Sequence, residues 1–308
     1  MYVIEPMVVN DTTFTSSNLT EADYAAWNSG TAYVIDDRVI VVSTHSIYQA
    51  VANNTNQDPT LATNIYNATT NPTGEWLRVS ATNRWKAFDQ RIGDPVISAT
   101  TIEYSITVSS LTTAISFFAL SGTSIDITVT NTSAAVIYDV SYDLSDTSSI
   151  IDWFTFFTYE GGLMTELTIT DLPAYPSYII DITINGTNTE VGQIVLGKLH
   201  RLGYTNEDTV IGFDDFSTKA RDETFGYVTV VERGFSDYID FRFSINYSDL
   251  KRVETIIKRL RATPAVWLAD PTITNLSSTV YGFQSGEFRA SLKSTGLHSA
   301  ALEIEGLI

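Results

Sequence analysis

Apolar and polar residues alternate along most of this chain with a period of two, and one stretch departs from it with a period near 3.6. "TIEYSITVSS", "SIDITVTNTS", "AAVIYDVSYDL", "ELTITDL", "SYIIDITI" and "FGYVTVVERG" alternate or run β-branched and aromatic, with polar turns between them. That alternation sends every second side chain to one face, so these stretches predict strands. The departure is "YSDLKRVETIIKRLRATPAVWLAD", where Leu250, Val253, Ile256, Ile257 and Leu260 fall on one helical face. Ser248 is the expected N-cap and Pro264 follows the end. Lys258, Arg259 and Arg261 occupy the last turns, where the helix dipole favours cations.

The spacing of these elements divides the chain. A Trp-rich, loop-rich stretch runs to about Pro95, and regular strands follow, about one every ten residues, as in a β-sandwich. "SYIIDITINGTNTEVGQIVLGKL" predicts a closing hairpin, because Asn185-Gly186 is a two-residue turn signal between β-formers. The last segment reads as strands, the amphipathic helix, then strands. The expected organisation is therefore mainly β and multi-domain: a small module over 1–95, a β-sandwich over 96–200, and a C-terminal β domain with one helix over 201–308. A chain of 308 residues is long enough for that.

Charge sharpens the division. The net charge is −18, from 36 acids against 18 bases. Between Thr101 and Lys198 there are 11 acids and one base; from Leu199 onward there are 15 acids and 12 bases. Nucleic acid and anionic membranes both need a basic face, so neither is an expected partner. No apolar run is long enough to span a bilayer, and "MYVIEPMVVNDTTF" lacks the basic start of a signal peptide. The chain has no cysteine, which removes disulfides and thiolate chemistry.

Catalytic signals are weak. "GQIVLGKL" approaches a phosphate-binding loop, but Leu199 stands where a hydroxyl should hold magnesium, and Gln-Ile-Val-Leu is strand sequence. The pairs Asp36-Asp37 and Asp214-Asp215 are adjacent in strand-like sequence, so their carboxylates point to opposite faces. His45, His200 and His298 fit no metal or nucleophile motif. "DLSD" (143–146) and "NTNQD" (54–58) offer oxygen ligands but miss the EF-hand pattern, so solvated turns are expected there. The reading is no enzyme, no cofactor and no metal site.

Trp27, then Gly30-Thr31-Ala32-Tyr33, Asp37, Val39, Tyr48-Gln49-Ala50, Pro59 and Trp76 carry a resemblance. This pattern resembles the small chitin- and cellulose-binding modules of carbohydrate-binding families 5 and 12. Two departures matter. Asp36 replaces the turn glycine, and Val51, Ala52, Asn53 and Asn54 stand where the family exposes sugar-stacking aromatics. The remaining rings, Trp27, Tyr33, Tyr48 and Trp76, are those the family uses as core, as a module of about 50 residues requires. The rings to test for sugar contact are Tyr48, Tyr66, Trp76 and Trp85.

A second resemblance covers more of the chain. "EWLRVSATNRWKAFDQRIGDPV", "GFDDFSTKARDETFGYVTVVERGF", "RATPAVWLAD", "VYGFQSGEF" and the ending "ALEIEGLI" are similar to tail proteins of bacteriophages and prophages. "SYIIDITINGTNTEVGQIVLG" is similar to the last strands of galactose-binding-like jelly rolls. The resemblance implies a virion part at the distal tail: a baseplate, tail-tip or fibre-attachment protein. Its implied partners are other tail proteins in a three- or six-fold assembly, with direct recognition of host surface polysaccharide as the alternative function. Lys251, Arg252, Lys258, Arg259 and Arg261 are the expected docking surface for an acidic neighbour.

Overall fold

The computed structural model describes residues 1–108, 111–221, 224–270, 278–292 and 296–307. Ser109, Ser110, Asp222, Glu223 and Ile308, which belong to stretches quoted above, lie outside them. The protein is mainly β, with several sheets and the amphipathic helix at Leu250–Leu260.

The sandwich has one layer of five strands, in the order Val136–Asp143, Ser124–Asn131, Tyr178–Asn185, Ile102–Val108, Phe14–Ser17. Its alternation is the one read in sequence. Ile127, Ile182 and Tyr104 form one cross-strand row, all buried, while their neighbours face solvent. Burying each such side chain contributes about 2 kcal/mol. The facing layer is Glu166–Ile169, Ala114–Phe118 and Gln193–Arg201, whose Ile115, Phe117, Ile194 and Leu196 complete the core.

That second layer does not stop at the sandwich. Tyr2–Pro6 pairs with Gln193–Arg201 on one side and with Ala265–Leu268 on the other. The sheet continues through Thr279–Gln284, Leu297–Gly306 and Phe235–Asn246. It then returns to its start: Gln193–Arg201 steps through Leu202 and Gly203 into Tyr204–Thr205, and Tyr204 lies opposite Ser244. These strands curl into a partly closed barrel around Val3, Leu202, Phe241, Phe243, Trp267 and Leu302. Val253, Ile256, Ile257 and Leu260 of the helix fill the same cluster. On the opposite face, Ile4, Val266, Leu268, Phe118 and Tyr281 form a separate cluster. Phe118 stacks on Tyr281 at 5.6 Å although three strands lie between theirs, so the sheet is strongly coiled.

Both expected boundaries are crossed by this sheet. The first strand sits at the centre of the body formed by the later segments. Phe14, Trp85 and Ala87, all before residue 95, belong to the sandwich core. The small module proper is built from Ala32–Tyr33, Arg38–Val41, Ser46–Ala50, Asn54–Thr55 and Trp76–Ala81.

Three local expectations are corrected. Asn185-Gly186 does not close a hairpin. Tyr178–Asn185 already has a neighbour on each side, so Thr189–Val191 has no free edge there and pairs with Val96–Ser98 instead. Ser248 does not cap the helix; a 3₁₀ turn at Tyr247–Asp249 leads into it and Asp249 occupies the cap position. A second, five-residue helix at Trp153–Phe157 was not anticipated. The near phosphate-loop is strand, as its residues suggested.

Candidate interaction surfaces

Burial decides the role of the aromatics in the small module. Tyr33, Tyr48 and Trp76 are buried, and Tyr33 meets Trp76 edge-on at 5.2 Å. Trp76 is fully buried and its Nε1 donates to the Gln57 carbonyl at 2.8 Å. Asp36 takes φ +73°, the left-handed conformation that glycine adopts most readily, and its carboxylate accepts from Gln49. Trp85 stacks on Phe14 at 4.5 Å and on His45 at 4.0 Å, and is 8% exposed. A sugar-stacking ring must present a face to solvent. Tyr48, Trp76 and Trp85 present none, which corrects their assignment as sugar contacts. Tyr66 is half-buried.

The five bases of the helix are exposed, as expected. Three of them are engaged within the chain. Lys258 pairs with Glu254 at 2.6 Å, Arg259 with Glu5 at 2.6 Å, and Arg252 donates to the Arg201 carbonyl at 3.0 Å and lies 3.6 Å from Asp249. Glu5 also accepts from His200 at 2.8 Å. Arg259 and His200 thus hold the helix and the long sheet together through one carboxylate.

Two surfaces that the sequence reading did not single out stand out instead. The first is an arm. Val210–Asp215 pairs with Phe235–Asn246, and the ladder resumes as Thr218–Arg221 against Val228–Val231. Every residue of those last two strands is exposed. An isolated two-stranded ribbon is marginal in water. This one carries Phe225, Tyr227, Val228, Val230 and Val231 on its surface, with Phe213 and Phe235 at its base. Register pairs Lys219 with Val230 and Arg221 with Val228, so one face of the ribbon combines two valines with two cations.

The second surface is a knob between Ser145 and Leu163, which bridge at its base. Asp152 caps its short helix: its carboxylate accepts from the Thr155 N–H at 2.8 Å, and Thr155 Oγ1 accepts in return from the Asp152 N–H at 2.9 Å. The Tyr159 hydroxyl ties the loop by donating to the Asp146 carbonyl at 2.6 Å. Ile151, Trp153, Phe154, Phe156 and Phe157 all face solvent, Trp153 at 78% exposure. The three rings of Trp153, Phe156 and Phe157 pack on one another at 5.5–6.2 Å. The same segment carries Asp146, Asp152 and Glu160 and no base. The signal in sequence was "WFTFF", too long an aromatic run for a turn and out of phase with any strand.

One acid pair has shifted protonation. Burial pushes the Glu166 carboxyl up to about 7, and the charge of Asp237 adds to it. Asp237 is itself raised by burial. Both line a cavity of about 30 Å³ with Ile92, Phe118, Tyr281 and Leu307. That volume holds roughly one water, so no sugar ring fits between these carboxylates. Asp143 and Asp58, the suggested oxygen donors, bind the backbone N–H and hydroxyl of Ser145 and Thr60 and so close their own turns. Among the described residues, no acid and histidine cluster could hold a metal ion, and no helix is long and apolar enough to cross a membrane.

No family model matches the chain, and neither a curated protein nor a solved structure matches it.

Proposed function

We propose that this protein is a structural component of a bacteriophage tail tip or baseplate, docking into it through the C-terminal β domain. The observation that carries this reading is the arm. A ribbon whose two strands are exposed at every residue, with seven large apolar side chains along it and at its base, contributes nothing to the buried core. Such a patch marks a surface completed by a neighbour. The rigid body behind the arm, one coiled sheet shared by sandwich and barrel, suits a load-bearing part. The similarity of the stretches around Trp85 and Phe213 to tail proteins supplies the kind of particle, and a three- or six-fold ring supplies the neighbours. Host-polysaccharide recognition has less support, because three of the four proposed rings are core.

Immunogold labelling of tailed particles from the producing culture, with an antibody to this chain, tests the reading. Gold at the distal tail is the expected result. Protein found only free in the lysate, with unlabelled particles, would refute it.

A further inference from the structure

The arm and the knob carry complementary residues. The knob is aromatic and acidic: it exposes Ile151, Trp153, Phe154, Phe156 and Phe157, and its segment also carries Asp146, Asp152 and Glu160. No Lys or Arg occurs between Thr101 and Gly197, so nothing in that segment neutralises these acids. The arm's cationic face presents Val228 and Val230 beside Lys219 and Arg221. Both surfaces are exposed in the single chain. We propose that the knob of one copy docks on the Lys219–Arg221 face of the arm of the next copy, so that the chain assembles head to tail.

Size and charge both favour a second copy as the occupant. Taking ~200 Å² for each large side chain, the exposed parts of the five knob residues amount to roughly 700 Å². A specific interface of standard size buries about 800 Å² per partner. The acidic rim repels an anionic lipid surface and attracts a cationic one. The surface with matching apolar and cationic residues is present on every copy. Because knob and arm are different patches, the contact is heterologous, and it generates a ring if the rotation closes.

This inference rests on reading the arm as an assembly element, but not on which particle the assembly belongs to. The test is sedimentation velocity on the full-length chain and two variants whose changes are all at exposed positions. Wild type is expected to sediment as a discrete oligomer at micromolar concentration. Trp153→Ser with Phe157→Ser spoils the knob; Lys219→Glu with Arg221→Glu spoils the arm. Each variant alone is expected to be monomeric, with self-association weakened more than roughly thirty-fold, as loss of central aromatic anchors produces. Mixed together they are expected to form a one-to-one complex, since one keeps its arm and the other its knob. A misfolded variant could not complement, so the mixture guards against trivial loss.

A wild-type chain that stays monomeric would overturn the proposal, as would a knob variant that assembles like wild type or a mixture that forms no complex. Monomeric wild type that still labels particle tails would overturn this contact alone and leave the tail assignment standing.

Discussion

Replacing Ile4 by Ala removes three carbons from a fully buried side chain, on a strand whose two faces serve different cores. Val3 points into the cluster with the helix, and Ile4 into the cluster with Val266, Leu268 and Tyr281. At about 0.8 kcal/mol per buried methylene the transfer loss is about 2.5 kcal/mol, and the residual cavity brings the total to about 3–4 kcal/mol. Tyr2–Pro6 is hydrogen-bonded on both sides, to Gln193–Arg201 and to Ala265–Leu268. Loosening it should therefore reach the sandwich and the barrel together. Hydrogen exchange read by mass spectrometry resolves the two. Peptides over Tyr178–Asn185 report on the sandwich, and peptides over Leu297–Gly306 on the barrel. Both are expected to exchange roughly 100-fold faster or more, since each 1.4 kcal/mol of opening free energy is tenfold. Acceleration in the barrel peptides with unchanged protection in the sandwich would refute the idea that this strand welds them into one unit.

Stability should depend on pH through Glu166. Its folded-state value, about 7 against an ordinary 4.5, means the folded protein keeps a proton that the unfolded chain releases, so stability is lost as pH rises from 4.5 through 7. Asp89, pushed up to about 6 by burial, acts in the same direction. His200, lowered by burial, opposes them below its ordinary range. Glu166→Gln is expected to flatten the slope and raise stability at pH 8 by on the order of 2 kcal/mol; an unchanged slope in urea melts from pH 5 to 8 would contradict the assignment. Trp76→Ala should cost about 3–5 kcal/mol. Exchange should rise in residues 32–81 and stay unchanged in Tyr178–Asn185, while retention on chitin beads is the same with and without the ring. Gly197→Ala would bring a Cβ to 2.0 Å from the Glu5 carbonyl oxygen, forcing the first strand outward. A cost of about 2–3 kcal/mol is expected, and a urea midpoint equal to wild type would show that the strand yields freely.

The alternation read in sequence became the sandwich almost strand for strand, because a residue's face in a strand follows from its own position. Ile125, Ile127 and Val129 needed no partner to be recognised as inward. The helix was legible for the same reason: Val253, Ile256, Ile257 and Leu260 are buried as their spacing required. The aromatic core of the small module was also legible, since a unit so small has few other residues to fill it. Asn185-Gly186 misled, because a turn signal reports local preference and the next strand's edge was already occupied.

Sequence by itself thus determined the fold class, the helix and its buried face, the acidic middle and the aromatic core of the small module. All of these depend on periods and compositions within a few residues of one another. Only the tertiary structure decided that Tyr2–Pro6 lies between strands some 190 and 260 residues away, and that one sheet runs through all three of the expected domains. It also decided which apolar residues stay outside. The valines of Val228–Val231 and the rings of Trp153–Phe157 have the composition of core. Whether an apolar side chain is covered depends on what the rest of the chain can bring over it, and here nothing among the described residues does.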